Sequence, residues 1–347
     1  NSSQNEEDNA RSYEPMKNAR GINKFHQSSK KGMRAVEKLN EDGITVEGTQ
    51  IINGVTITLG NFRTLYLNSN TLKLWDLLKL ELTKRISHNI PLTEKQIANA
   101  SEVTITLDKF MSMCERKHRQ SAQEELRKCA QALFNVDLKF DDFTYEVNQS
   151  TGRKKRKKTH WSFNLFEATK EVRNLETDPI IDSKITFYFS YGLIEYCVQA
   201  YIMPFCVEAL KISTHNYPHA YRMYFKLCER YNMEIIKGKP VRISVATLRE
   251  ACPDLPTNEE IKQRARQFSK RILEPFERDL KALSDIYGLV SWHYCNAGGE
   301  PLTDEQLANY AFEDWENWLI EFTLPDYPPR EAPKKRGRRG NSQIIAL

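Results

Sequence analysis

The sequence has few of the features that mark a membrane protein, a secreted protein or a metalloprotein. No stretch approaches the roughly 18 consecutive apolar residues that a membrane-spanning helix needs. The first residues, NSSQNEEDNARSYE, contain no apolar run of the signal-peptide type, so we expect a cytoplasmic protein. The seven cysteines include no C-x-x-C pair, which argues against a disulfide framework and a zinc knuckle. We therefore expect buried thiols, no metal and no cofactor.

Motifs for nucleotide binding and phosphate chemistry are also missing. There is no G-x-x-x-x-G-K-[ST] or G-x-G-x-x-G loop, and no H-x-H pair of a rolling-circle nuclease. His219 and Arg222 have the H-x-x-R spacing of tyrosine recombinases, but a further His or Trp followed by a Tyr about nine residues on is not found in the expected stretch after Arg222. His215 and His219 are separated by Pro218 and lack the H-E-x-x-H context of a zinc site. We expect a protein that is not an enzyme, with a recombinase-like strand-transfer enzyme as a minor alternative.

The length of the chain favours two globular domains, and the distribution of its charge favours binding to nucleic acid. The chain has 347 residues, 40% of them hydrophobic and 28% charged, enough for two separate cores. Its net charge of +5 is only mildly basic. The positive charge is concentrated, however, in an unbroken run from Arg153 to Lys158 and in a cluster from Lys334 to Arg339. Local clusters of this kind suit contacts with phosphates.

Low apolar content predicts flexible segments on both sides of the folded part. These are an N-terminal arm, 1–48, with a short helix around Met33 to Leu39 as an option, and a basic C-terminal tail, 326–347. The tail sequence KKRGRRG could enter an A·T-rich minor groove, but a merely flexible basic tail is the favoured interpretation. Two domains are expected between these segments, 49–175 and 180–325, with a boundary near residues 170 to 182.

The first domain has the element order of a winged helix. Apolar spacing predicts a core helix over Leu72 to Lys84, then a short strand, Val103 to Leu107, and a short helix, DKFMSMC. A basic turn and a longer helix, Ser121 to Phe134, follow. VDLKF, FTYEVNQ and THWSFNLF then predict a hairpin with TGRKKRKK at its tip. We expect the longer helix and the tip to lie on one face and to touch DNA.

The same order recurs in the second half. A strand, Lys184 to Ser190, and a helix, Tyr217 to Tyr231, precede VRIS, ATLREAC and a long helix from Asn258 to about Glu274. LVSWHYC and NWLIEFTL predict a second hairpin, interrupted by a segment around Leu302 to Phe312. The expected fold class is therefore α+β, with two tandem winged-helix domains.

The long helix of the second domain has two distinct faces. Ile261, Ala265, Phe268 and Ile272 share one face and should pack on the core. The other face presents arginine and glutamine, which pair with guanine and adenine edges, and lysines suited to phosphates. A solvated helix face is the alternative reading of this pattern. The residues expected to bind DNA are Lys262, Gln263, Arg264, Arg266, Gln267, Lys270 and Arg271.

Basic side chains of the first domain are the second group of expected DNA contacts. They come from the turn before the longer helix, from that helix and from the hairpin tip. A solvated turn, in which the charge only aids solubility, is the alternative for the tip. The predicted contacts are Arg116, Lys117, Arg119, Lys128, Arg153, Lys154, Lys155, Arg156, Lys157 and Lys158.

Several segments carry a family resemblance. They are RILEPFERDLKALSDIYGLVSW (271–292), ITFYFSYGLIEYC, YPHAYRMYFKLCERY, VRISVATLREA and, more weakly, LDKFMSMCERKHRQSAQEELRKCAQALFNVDLKF. Over about residues 60 to 325 the chain resembles the iteron-binding plasmid replication initiators. The long insertion between Cys295 and Trp318 departs from that family's pattern.

The resemblance implies a specific function and a set of partners. Initiators of this kind bind direct repeats in double-stranded origin DNA as monomers and often bind an inverted operator as dimers. They promote origin opening and recruit a helicase rather than hydrolyse ATP, and the second domain makes the principal base contacts. A monomer–dimer equilibrium, a host replicative helicase, a host initiator and a bacterial location at the plasmid or nucleoid are the expectations for this chain. A transcriptional repressor or a partition-site protein with the same two domains is the alternative.

Overall fold

The structure is a computed structural model with both helices and strands throughout the described chain, in agreement with the expected α+β class. It describes residues 11–18, 20–28, 33–40, 43–60, 67–86, 97, 100–114, 117–147, 154–172, 183–235, 239–256, 260, 268–308 and 310–329. None of the helices in these ranges is both long enough and apolar enough to cross a membrane.

The strands fall in both halves of the chain. They are β1 (Tyr13–Asn18), β2 (Arg34–Asn40), β3 (Gly43–Ile52), β4 (Val55–Leu59), β5 (Glu102–Thr106), β6 (Val136–Val147), β7 (Lys154–Asn164), β8 (Phe166–Val172), β9 (Lys184–Phe189), β10 (Tyr201–Cys206), β11 (Val241–Ser244), β12 (Ser291–Cys295) and β13 (Leu319–Thr323). They form four antiparallel sheets with the orders β1-β10, β2-β3-β4-β6-β7, β5-β9-β8 and β11-β13-β12.

The helices lie between these strands. They are α1 (Arg20–Asn23), α2 (Ser69–Arg85), α3 (Leu107–Cys114), α4 (Arg119–Phe134), α5 (Tyr191–Gln199), α6 (Ala220–Glu234), α7 (Val245–Glu250), α8 (Glu274–Asp285), α9 (Asp304–Ala308) and α10 (Phe312–Asn317). A π-helical turn, Ser269–Leu273, leads into α8, and two 3₁₀ turns follow α1 and β10.

The described part of the predicted N-terminal arm belongs to the folded core, which corrects the expectation of a mobile segment. β1 pairs with β10, and Met16, Ile22 and Phe25 are fully buried. The optional helix around Met33 to Leu39 is a strand, because this segment pairs with β3 as the edge of the five-stranded sheet. The low apolar content of this segment predicted a mobile arm because the segment has only a few apolar side chains. Those few are buried against residues that lie far away in the sequence.

Helix α2 confirms the predicted core helix and lies at the centre of the molecule. The Asn68 side chain caps its first turn by accepting a hydrogen bond from the Thr71 N–H at 2.8 Å. Trp75 is fully buried, and most of the helix is buried on all sides. Buried lysines and an aspartate on α2 therefore need partners from other elements.

Those partners connect α2 with the N-terminal segment and with α6. The Asp76 carboxylate contacts His26 Nε2 and Lys79 Nζ, each at 2.7 Å, and accepts a hydrogen bond from the Tyr221 hydroxyl. Burial alone would raise the pKa of Asp76, but its contacts with His26 and with the Lys79 ammonium outweigh burial and lower the pKa to about 2. The Arg222 guanidinium is buried beside this network and donates to the main-chain carbonyls of His26, Ser28 and Leu67. The two halves of the chain are thus joined by buried charged groups.

The first half contains most of the predicted elements. β5 alternates, burying Val103 and Ile105, and α3 follows it directly. Helix α4 begins two residues before the predicted start. Its apolar stripe, Ala122, Leu126, Cys129, Ala130 and Leu133, is buried, whereas Phe134 at its end is 40% exposed. The strand that pairs with β5 is β9, and β9 also pairs with β8. The predicted domain boundary near residues 170 to 182 therefore falls between two paired strands of one sheet.

The hairpin with the basic run has the predicted pairing but a different position in the fold. β6 and β7 pair in continuous register from Asp137↔Asn164 to Val147↔Lys154. Their neighbour is β4, so the hairpin extends the five-stranded sheet and does not join β5. It is an insertion between α4 and β8. The prediction that this hairpin is the wing of the first winged-helix domain is therefore wrong, because β8 and β9 form the sheet with β5. Residues 173–182, which connect β8 with β9, lie outside the described residues.

The second half repeats the topology of the first. Helix α6, strand β11, helix α7 and the helix ending in α8 precede β12 and β13, and the predicted pairing of β12 with β13 is confirmed. β13 lies between β11 and β12, just as β9 lies between β5 and β8. The segment inserted between β12 and β13 forms α9 and α10.

Candidate nucleic-acid interface

The long helix that is predicted to read DNA in the second half, from Asn258 to about Glu274, is described by the structure from Phe268 onward. Ile272 is fully buried and Phe268 packs against the core, whereas Lys270 and Arg271 are exposed. These four positions have the orientations that the angular pattern predicts. The other expected contacts, Lys262, Gln263, Arg264, Arg266 and Gln267, lie outside the described residues.

The described part of this helix is not a regular α-helix throughout. The Glu274 N–H donates to the carbonyl of Ser269, five residues earlier, so Ser269–Leu273 forms a wider π turn. Pro275 follows at once, and its ring and missing N–H disrupt regular α-helical hydrogen bonding at this point. Lys270 and Arg271 therefore lie on the wide turn, a feature often found at functional sites.

An aspartate anchors α8 to the start of α6. Asp279 is completely buried, and its Oδ2 accepts a hydrogen bond from the backbone N–H of His219 at 2.7 Å. The other carboxylate oxygen contacts Arg278. The first turn of α6 has no acidic residue of its own, so Asp279 supplies the negative charge that a helix N-terminus favours. This contact fixes the helix that carries Lys270 relative to the body of the protein.

The insertion between β12 and β13 packs directly on the helix that is predicted to read DNA. The Phe268 ring lies 4.8 Å from Phe312 and 5.6 Å from Trp315. Arg249 of α7 pairs with Glu316, which fixes the insertion to the neighbouring helix as well. Residues 296–318 contain acidic residues and no lysine or arginine. The sequence had shown the insertion, but not that it places acidic residues beside the proposed DNA-reading helix.

Three of the four predicted contacts on α4 and its preceding turn lie within the described residues. Lys117 and Lys128 are exposed. Arg119 contacts Asp108 Oδ1 at 2.6 Å, so its charge is at least partly neutralised by α3. Arg116 lies outside the described residues. On the outer face of α4, Lys128 is thus a predicted contact whose side chain is open to solvent.

The basic hairpin is anchored at its base by aromatic packing. The Tyr196 ring of α5 lies 5.0 Å from Phe140 and 5.2 Å from Trp161, and its hydroxyl donates to Asp142 at 2.6 Å. The Gly21 N–H of α1 donates to the same hydroxyl at 3.0 Å. The base of β6 and β7 is thus fixed against α1 and α5.

The charge of the hairpin is less than its sequence suggests. Lys157 and Lys158 are exposed, but Asp141 lies 2.7 Å from Lys158 Nζ and 2.9 Å from His160 Nδ1. The backbones of Lys154, Lys155 and Arg156 lie in β7, whereas Arg153 and all the side chains from 153 to 156 lie outside the described residues. Among the described side chains, Lys157 is the hairpin cation that best fits a phosphate contact.

The recombinase-like pair does not form a phosphate-binding site in the folded chain. Arg222 is buried and already donates to main-chain carbonyls, and His219 is buried with a pKa lowered by its burial. These two side chains therefore serve the packing between α6 and its neighbours.

Known proteins resemble this chain only distantly, and in structure rather than in sequence. No protein-family profile matches the chain, and no curated protein of similar sequence matches it. Among solved structures, the chain is similar to a crystal structure of selenomethionine derivatives of domains 2 and 3 of RctB, with 10% identity over 86% of this chain and 92% of that one and a TM-score of 0.41. A second structure of RctB domains 2-3, RctB-155-483, matches with 12% identity over 74% of this chain and 82% of that one, at a TM-score of 0.35. TM-scores this low establish neither a shared fold nor a shared function.

Proposed function

We propose that this chain is a replication initiator that binds double-stranded DNA by sequence through two winged-helix units. The observation that carries the proposal is the repeated topology. In each half, a helix, a short strand and two helices precede two strands, and the last strand pairs with the short one. This is the arrangement in which the last helix before the strands enters the major groove.

The exposed cations on the relevant helices support a role in DNA binding. Lys128 lies on α4 and Lys270 and Arg271 lie on the turn before α8, both at the position of the reading helix in their unit. A fold alone does not determine a function, so the proposal depends on these side chains and on the sequence resemblance. Lys157 of the basic hairpin would add a phosphate contact outside either unit.

Initiation at a plasmid origin is the more specific part of the proposal. It includes binding to origin repeats and to the chain's own operator, a monomer–dimer equilibrium, and recruitment of a host helicase together with a host initiator. This part rests on the resemblance to iteron-binding initiators described above. A repressor or a partition-site protein would use the same two units.

The decisive experiment is selection of bound sequences from random duplexes. The expected winner is one short site that recurs as direct repeats beside the gene, next to an A·T-rich segment. A lone inverted repeat would instead indicate a repressor, and selection of no sequence would overturn sequence-specific binding. Lys270→Ala should weaken the selected complex, whereas Lys211→Ala, at an exposed lysine of a 3₁₀ turn after β10, is the matched control and should not.

A further inference from the structure

One face of the sheet β11-β13-β12 brings together three side chains of different chemistry. His293 and Cys295 are two residues apart on β12, so their side chains point to the same face. Glu321 lies directly opposite His293 on β13. One nitrogen, one sulfur and one oxygen from these residues all lie within 4.8 Å of one another.

This spacing is close to that of a tetrahedral metal site. Zinc bonds of about 2.0 to 2.3 Å place neighbouring donors roughly 3.3 to 3.8 Å apart. The donor atoms would need to approach by about 1 Å, which the exposed imidazole of His293 allows by rotation. We propose that His293, Cys295 and Glu321 bind a divalent transition metal ion, zinc by preference, with a fourth position open to water.

The donor set selects the class of metal. A thiolate with an imidazole favours zinc and related transition metals over magnesium and calcium, which prefer oxygen ligands. Burial and the charge of Glu321 raise the pKa of the Cys295 thiol, while Arg242 lowers it. Because a metal binds the thiolate, binding displaces the thiol proton of Cys295 and should tighten as the pH rises.

Arg242 orients the carboxylate of the site. Its Nε lies 2.7 Å from Glu321 Oε2, and its guanidinium also donates to the carbonyl of Gly299 at 2.9 Å. A carboxylate has two oxygens, so one can bind the arginine while the other binds an ion. Hydrogen bonds of this kind commonly orient ligands in metal sites.

A bound ion would connect the two strands at the root of the acidic insertion. The backbone of Cys295 forms an isolated β-bridge with Pro301, at the start of that insertion. Glu321 lies on β13, the strand that follows the insertion. An ion that binds the folded chain and not the unfolded one raises stability by mass action. The metal-loaded protein should therefore unfold at a higher temperature than the metal-free protein.

Titration of the reduced, metal-free full chain with Co²⁺, in the absence of DNA, tests the site. We expect one equivalent to bind, with a thiolate-to-cobalt charge-transfer band that disappears when Zn²⁺ is added. Cys295→Ser should abolish the band, and His293→Ala, at an exposed side chain, should weaken binding at least tenfold. Cys206→Ser, which removes another buried thiol, is the matched control and should keep the band.

Two results would overturn the metal site. One is the absence of a charge-transfer band in the wild-type chain, and the other is a band that His293→Ala and Cys295→Ser leave unchanged. Since no DNA is present, neither result bears on the proposed initiator function, and loss of DNA binding would not bear on the site.

Discussion

Asp279 Oδ2 lies 2.7 Å from the backbone nitrogen of His219, and this single hydrogen bond joins the helix proposed to read DNA to the first turn of α6. Asp279→Ala would leave the buried His219 N–H without its acceptor and the helix terminus without its negative charge. We expect a loss of about 2 to 3 kcal/mol in the free energy of unfolding, measured by urea denaturation. Asp279→Asn keeps an acceptor and should cost less. Equal stability of Asp279→Ala and wild type would show that the contact is unimportant.

Phe268→Ala should lower stability without changing which sequence is preferred. The ring packs edge-on against Phe312 and Trp315 but is only partly buried, so the cost should be near the lower end of the range for aromatic truncations, about 3 kcal/mol. Thermal unfolding measures the loss, and a selection experiment on the folded variant checks the preference. A changed preference with unchanged stability would place Phe268 at the DNA instead.

Arg266 and Lys262 should respond differently to truncation, although both lie outside the described residues and their roles rest on the sequence pattern. Arg266→Ala should cost about 1 to 3 kcal/mol on the selected site and relax the preference at one base pair. Lys262→Ala should weaken selected and random duplexes alike. Fluorescence anisotropy with both duplexes separates the two outcomes. If Arg266→Ala kept the wild-type ratio of specific to nonspecific binding, this helix would not read the sequence.

The basic hairpin should contribute salt-dependent affinity and no specificity. Lys157→Gln is expected to reduce the slope of log K against log salt by about 1, since one phosphate contact releases about one counterion. Lys139→Gln, on the same hairpin but paired with Asp137 near its base, is the control and should leave the slope unchanged. Identical slopes for wild type and Lys157→Gln would remove Lys157 from the interface.

Stability should fall as the pH drops below about 6.5, the ordinary pKa of histidine. Burial lowers the pKa of His26 in the folded chain, despite the opposing effect of Asp76, and burial likewise lowers the pKa of His219. Below pH 6.5 the unfolded chain therefore binds protons at these histidines that the folded chain does not bind. The stability that the two neutral histidines contribute is fully present above pH 6.5 and is lost as the pH falls below it. Each histidine should lower the free energy of unfolding by up to about 1.4 kcal/mol for each pH unit of this fall.

Replacing His26 tests that pH dependence. His26→Gln should show a shallower fall in the urea midpoint between about pH 6.5 and pH 5 than wild type, whatever its stability at neutral pH. An unchanged fall would mean that His26 does not titrate on unfolding.

Local patterns predicted the elements well because each depends on nearby residues. The alternation in EVTIT, the apolar stripe of α4 and the continuous pairing of β6 with β7 could all be seen in short windows. The sheet partners of those elements could not, because β4 and β9 lie far from β6 and β5 in the chain. The hairpin was therefore predicted correctly but assigned to the wrong sheet.

The candidate site shows the same division. Helical periodicity correctly placed Ile272 inside and Lys270 outside, since that depends only on the angle between residues. The anchoring of α8 by His219 and the packing of Trp315 on Phe268 depend on contacts between distant segments. Such contacts cannot be predicted from any local sequence motif.

Pairing of β1 with β10 has a consequence for how the chain folds. Tyr13 meets Cys206, so roughly 190 residues separate the two partners, a high contact order that favours slow folding. During synthesis on the ribosome, β1 must wait unpaired until β10 has emerged. The N-terminal strand should thus become protected from hydrogen exchange later than elements whose partners are near in the chain, such as the paired strands β6 and β7.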